Sequence, residues 1–158
     1  MARLHAKGVA HRDLKPDNLY LWRERCAVSD FGIASFPGKP SLTSASRKLG
    51  PLHFIAPEML NAPEKSDGAK ADVYSLAKTL WVLLTGQKYP PPGEHHHDIE
   101  QLQIGRMVKL RESSALDNLM EEATRYDSAK RISMKGFHQM LKDWLPKKAG
   151  GDASRDLR

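Results

Sequence analysis

At 158 residues the chain is long enough to bury one real core and short enough that a single domain, or a large piece of one, is expected. Its 25 Lys and Arg outnumber 19 Asp and Glu, and the net charge of +6 favours anionic partners such as phosphate groups or acidic peptides. One cysteine excludes an internal disulfide and points to a reducing, cytoplasmic setting, and no apolar run reaches the roughly 18 residues of a membrane span.

In chain order, "MARLHAK" reads as the last turns of a helix that Gly8 ends. Residues 18–22 and 26–29 are short apolar runs around "RERC", which suits a small β-hairpin, with Cys26 expected as a small buried apolar residue. From Phe36 to Gly50, Pro, Gly and Ser without periodicity predict a long surface loop. "ADVYSLAKTLWVLLTG" then places Val73, Leu76, Ala77, Leu80, Leu83 and Leu84 at three- and four-residue spacing. That pattern predicts a central buried helix, with Asp72 as a cap near its start and Gly86 as its stop.

"YPPPG" breaks the chain, and further helices are expected at about 97–110, 114–125 and 133–145. The tail 146–158 lacks a core-forming pattern and is expected to be disordered. "EHHHD" (94–98) is read as an exposed loop and helix start, since no metal-ligand spacing accompanies it. The basic clusters at 106–111 and 142–148 read as solvated helix faces, and Trp81 and Trp144 as core, so no nucleic-acid partner is expected. The fold class is mainly α, with a polar loop region at the front.

The densest chemistry lies in "GVAHRDLKPDNLYL", residues 8–21. His11, Arg12 and Asp13, with Asn18 five residues after the aspartate, fit H-R-D-x-x-x-x-N, and Asp30 follows in "SDFG". "GPLHFIAPE" (50–58), "DVYSLAKTLWVLLTG" and "DSAKRIS" (127–133) continue the series in order. Together these motifs resemble the C-terminal, catalytic lobe of a eukaryotic-type Ser/Thr protein kinase over residues 1–145. The resemblance implies a kinase-like lobe with its small hairpin beside the catalytic loop. It also implies that the glycine-rich loop, strand lysine and helix glutamate belong to an N-terminal lobe lacking here.

What the resemblance implies for the site follows residue by residue. Asp13 accepts or orients the substrate hydroxyl proton, and Lys15 stands as a point charge between it and the γ-phosphate of ATP. Asn18 and Asp30 offer oxygen ligands to Mg2+ shared with the nucleotide phosphates. Lys15, two residues after the aspartate, is the Ser/Thr form of the loop. Tyr20 stands where an aliphatic side chain usually floors the adenine pocket. His11 and Phe31 stack in a buried column, and Gly32 completes the Asp30 motif. Asp72 holds the backbone of the catalytic loop, and Glu58 pairs with Arg131 in the interior. Arg12 is placed to bind a phosphorylated loop residue. Ser41, Thr43, Ser44 and Ser46 are the candidates, ahead of Arg47 and Lys48, with Ser44 or Ser46 preferred. Pro51 departs from the family, which usually carries a threonine there.

Two functions remain open at this stage. One is phosphoryl transfer from ATP to Ser/Thr hydroxyls of a protein substrate once an N-terminal lobe is joined, with this chain by itself inactive. The other is a catalytically silent kinase-lobe fragment that acts as a binding or scaffold module.

Overall fold

The structure, a computed structural model, describes residues 1–38 and 52–145. Ser41, Thr43, Ser44, Ser46, Arg47, Lys48, Pro51 and the tail 146–158 lie outside the described residues. The chain runs α1 (Ala2–His5), a 3-10 turn (Pro16–Asn18), β1 (Leu19–Trp22), β2 (Arg25–Val28), a 3-10 turn (Leu52–Phe54) and α2 (Pro57–Asn61). It continues through α3 (Gly68–Thr85), a 3-10 turn (Glu100–Leu102), α4 (Ile104–Met107), α5 (Ser113–Thr124) and α6 (Met134–Trp144). The fold is helix-rich with one small two-stranded sheet among the described residues.

The central helix is α3. Asp67 caps it, accepting from the backbone N–H of Ala69 at 2.9 Å and of Lys70 at 3.3 Å. Gly86 stops it in the left-handed region (φ 69°), where a side chain would be strained, and donates to the Val82 carbonyl. The expected stop is therefore correct, whereas Asp72 is not the cap. It lies more than a turn inside the helix and is fully buried. Val73, Ala77 and Trp81, four residues apart, press against Leu116, Leu119, Met120 and Ala123 of α5 and Met134 and Phe137 of α6. Of the leucines expected in this core, Leu76, Leu80 and Leu84 pack at its margin and Leu83 faces outward.

The helix expected over 97–110 is broken. Gln103 (ψ 124°) and Val108 (ψ 142°) are extended, leaving a 3-10 turn and the single turn of α4. The N-terminus of α4 is capped from another element, with Ile104 N–H donating to Asp117 Oδ1 at 2.9 Å. The stretch 94–98 is only partly the exposed loop expected of it. His95 is buried, and its N–H donates to Thr124 Oγ1 at 2.8 Å.

The hairpin pairs Leu19 with Val28, Tyr20 with Ala27, Leu21 with Cys26 and Trp22 with Arg25. Arg23 and Glu24 turn the chain with φ of 47° and 61°, the positive pair that a two-residue hairpin turn requires. Cys26 is exposed, contrary to the sequence expectation. Directly paired residues share a face of the sheet, and Leu21 opposite it is 83% exposed. No helix among the described residues is long and apolar enough to cross a membrane.

Candidate active site

The loop between α1 and β1 is held at three points. Ala10 and Ser35 exchange backbone hydrogen bonds of 3.0 and 2.9 Å, and Leu14 is buried. From beneath, the Asp72 carboxylate accepts from His11 N–H at 2.8 Å and from Arg12 N–H at 2.6 Å. Arg12 sits at φ 71°, a conformation that costs a non-glycine residue energy and persists where its surroundings fix it. The two bonds to Asp72 supply that fixation. His5 completes the arrangement, its Nε2 lying 2.8 Å from Asp72 Oδ2.

Asp13, Lys15 and Asn18 form one hydrogen-bonded cluster. Lys15 Nζ lies 2.7 Å from Asp13 Oδ2. The Asn18 amide nitrogen donates to the Asp13 carbonyl at 2.7 Å and to Asp13 Oδ2 at 3.1 Å. With both of those bonds made by the nitrogen, the amide oxygen of Asn18 is turned away from Asp13. A 3-10 turn sets this spacing, Asn18 N–H closing onto the Lys15 carbonyl at 3.0 Å, with Pro16 at the turn's start where no N–H is needed.

Asp30 follows the hairpin at φ 60° and is exposed, its Oδ1 accepting from Gly32 N–H at 3.2 Å. His11 connects this second segment to the first. Its Nε2 lies 2.8 Å from the Ser29 carbonyl and its Nδ1 accepts from Asp13 N–H at 3.3 Å, so protonation on Nε2 satisfies both. The Phe31 ring meets His11 edge-on, centroids 4.6 Å apart. The expected column is buried only on the His11 side, because Phe31 is 43% exposed and no described element covers its outer face. Tyr20 is likewise exposed.

Arg12 Nη2 donates to the Pro63 carbonyl at 2.7 Å and approaches Met59 Sδ at 3.9 Å, which directs the guanidinium toward α2. Glu58, on α2, meets Arg131 in a two-pronged pair of 2.6 and 3.1 Å. Two contributors escaped the sequence reading. His5 was counted only as part of a helix end. Lys78 carried a visible signal, a lysine in the middle of the helix expected to be central and buried. Among the described residues no group of three or more His, Cys, Asp or Glu is arranged to hold a metal ion.

The sequence that builds this cluster, two acids and an amide braced on a helical core, has relatives among known proteins. The model of the protein kinase domain matches residues 1–145. Serine/threonine-protein kinase PknJ of Mycobacterium tuberculosis is 37% identical over 146 residues, covering 84% of this chain and 24% of that protein. CBL-interacting protein kinase 26 of Oryza sativa is 35% identical over 145 residues, covering 82% of this chain and 27% of the relative. The 3-phosphoinositide-dependent protein kinase B of Dictyostelium discoideum is 33% identical over 157 residues, covering 89% of this chain and 16% of the relative. The chain belongs to the eukaryotic-type Ser/Thr protein kinase family. It spans about a quarter of the length of the first of these relatives, 24%.

Proposed function

We propose that this chain is the catalytic lobe of a protein kinase and transfers the γ-phosphoryl group of ATP to serine or threonine hydroxyls of a polypeptide. The observation that carries this reading is the clasp on Asp13, whose carboxylate takes Lys15 Nζ at 2.7 Å and Asn18 Nδ2 at 3.1 Å. A carboxylate so oriented accepts the hydroxyl proton as the hydroxyl oxygen bonds the γ-phosphorus and the bond to the β-bridging oxygen breaks. Lys15, still in contact with that carboxylate, meets charge on the transferring group as a point cation.

The donor set suits Mg2+, which takes one or two protein oxygens and completes its shell with phosphate and water. Asn18 offers the amide oxygen turned from Asp13, and Asp30 an exposed carboxylate. When bound, the ion neutralises phosphate charge. Asp72 acts through the backbone, holding His11 and Arg12 so that Asp13 keeps one orientation. A nucleotide-binding lobe from the same polypeptide would cover Tyr20 and Phe31, which are exposed here.

The test is transfer of labelled phosphate to a Ser/Thr peptide library by the protein as its gene encodes it, wild type against Asp13→Asn and Asp30→Asn. Loss of at least about a hundredfold in each variant is expected. Wild-type transfer that survives Asp13→Asn refutes the reading. The exposed hairpin, with Tyr20 and Trp22 open on one face and Leu21 on the other, favours a second reading as a silent binding module. Absence of wild-type transfer together with capture of a partner lost in Leu21→Asp would support it.

A further inference from the structure

Lys78 is 3% exposed, in the middle of α3, between core residues Ala77 and Trp81. Among the described residues no carboxylate pairs with it. Its Nζ donates instead to two backbone carbonyls of one turn, Pro91 at 2.8 Å and Gly93 at 2.5 Å. It also stands 5.2 Å from the centroid of the Tyr74 ring, whose hydroxyl donates to the same Gly93 carbonyl at 3.1 Å. The chain explains why such a clasp is needed. Pro90, Pro91 and Pro92 have no N–H, so this turn can accept hydrogen bonds but barely donate them, and nothing local can lock it. Donors must come from elsewhere, and α3 supplies them.

The other end of the turn reaches the surface. Tyr89 stacks on His53, ring centroids 4.5 Å apart and planes 30° from parallel, with Lys88 Nζ 5.2 Å from the Tyr89 centroid. His53 belongs to the 3-10 turn Leu52–Phe54, with Phe54 buried and Leu52 exposed beside it. The result is an aromatic and aliphatic surface whose position depends on the proline turn. The same helix that carries Lys78 carries Asp72, six residues earlier, and Asp72 holds the backbone on which Asp13 sits. Six residues along a helix span about 9 Å, with no flexible joint between the two grips.

We propose that Lys78 is a positioning residue for the polypeptide substrate, its clasp on Pro91 and Gly93 setting the His53–Tyr89–Leu52 surface at a fixed distance from Asp13. The proposal rests on the kinase reading above. A peptide laid on an exposed stacked aromatic pair and a leucine gains affinity from apolar contact, and delivers its hydroxyl to Asp13 only when that surface is held. Burial depresses the Lys78 pKa to about 8, which agrees with an ammonium held by dipoles and a ring rather than by a counter-charge.

The experiment compares wild type, Lys78→Met, Lys78→Arg and Tyr89→Ala in the protein as its gene encodes it. The substrate is the best Ser/Thr peptide from the library, and amide hydrogen exchange is read at 52–56 and 88–94. Lys78→Met removes the donors and keeps the length. It is expected to raise the KM for peptide about tenfold with kcat and the KM for ATP within about twofold. It should also speed exchange in both segments while residues 8–18 stay protected. Lys78→Arg, which can still reach two carbonyls, should restore most of the loss, and Tyr89→Ala, which cuts the same path at the surface, should reproduce the KM change. Faster exchange with an unchanged peptide KM overturns the substrate role, and unchanged exchange overturns the clasp itself. Wild type without any transfer removes the kinase reading and the substrate role with it, and exchange then still decides the clasp. If Lys78→Met does not fold, an unchanged peptide KM in Tyr89→Ala overturns the proposal.

Discussion

Removing the charge of Glu58 should cost the fold a large share of its stability. Arg131 is buried to 1% exposure and uses all five of its N–H groups. Nη1 donates to Glu58 Oε1 at 2.6 Å and to the Lys70 carbonyl at 2.8 Å. Nη2 donates to Glu58 Oε2 at 3.1 Å and to the Arg125 carbonyl at 2.8 Å, and Nε to the same carbonyl at 3.1 Å. The guanidinium also lies 5.1 Å from the Tyr74 centroid. Glu58→Gln keeps the shape and one acceptor but leaves a buried cation without its counter-charge, which costs about 3–5 kcal/mol. Set against a typical domain stability of about 5–15 kcal/mol, that is a large share. Urea denaturation followed by tryptophan fluorescence reads it directly. With a slope of about 1–3 kcal/mol/M, the midpoint should fall by at least about 1 M at unchanged slope. Arg131→Met should be destabilising too, since it orphans two carbonyls. The double variant should cost less than the sum of the two, because the stranded charge is gone. A Glu58→Gln midpoint within about 0.3 M of wild type would refute the reasoning, since the guanidinium would then not be desolvated.

Asp72→Ala frees the His11 and Arg12 amides and lets Arg12 leave its positive φ. We expect kcat for peptide phosphorylation to fall at least about a hundredfold, and steady-state kinetics that show a KM change alone would contradict this. For Lys78 the folded pKa is about 8 against an ordinary 10.5, so between those values the unfolded chain holds the extra proton. Unfolding free energy should therefore rise with pH across that window by up to about 3 kcal/mol relative to Lys78→Met, and parallel urea midpoints for the two proteins from pH 7 to pH 10 would contradict it. The hydrogen bond and charge of Glu121 raise the pKa of exposed His97 above 6.5. Its stabilisation is fully present below pH 6.5 and is lost as pH rises through the shifted value. An NMR titration should show that elevated midpoint return to the ordinary range in Glu121→Gln.

The clustering of Asp13, Lys15 and Asn18 in the candidate site was legible because their chemistry is contiguous. A histidine, an arginine, two aspartates, a lysine and an asparagine crowded into 8–21, with Asp30 to follow, have no place in an ordinary buried loop, and the spacing of Asp13 and Asn18 is fixed by a local turn. The length of α3 was legible at its end, where Gly86 acts locally, and misread at its start. Asp72 looks like a cap until Asp67 and the tolerance of Gly68 for close approach are known. A Cβ on Gly68 would lie 2.8 Å from that of Ala10, so the helix can begin there only with glycine. The break at 103 and the burial of His95 were not legible. The Asp117 carboxylate that caps α4 and lies 3.3 Å from His95 Nε2 comes from α5, and nothing in the local periodicity announces it. Cys26 was misjudged for a related reason, since an apolar run predicts a strand but not which of its faces the rest of the fold will cover.

The misreading of Asp72 has its source in how α3 is used. Its apolar positions Val73, Ala77 and Trp81 build the core in the way periodicity predicts. Half-buried Lys70 and buried Asp72, Tyr74 and Lys78 face the loops instead. Lys70 Nζ donates to the Arg131 carbonyl, Asp72 accepts from two amides of the loop between α1 and β1, and Tyr74 and Lys78 donate to the proline turn. Each of these side chains satisfies backbone groups that irregular segments cannot satisfy among themselves, which is the condition for burying a loop at all. A helix chosen for stability alone would place leucine or methionine at 72 and 78. Each polar choice carries a desolvation cost, and what it gains is a fixed relation between segments distant in sequence. The loop between α1 and β1, the α2 segment and the proline turn are thus set by one rigid rod. A substitution at one of these polar positions should therefore disturb the loop it holds before it disturbs the packing of the core.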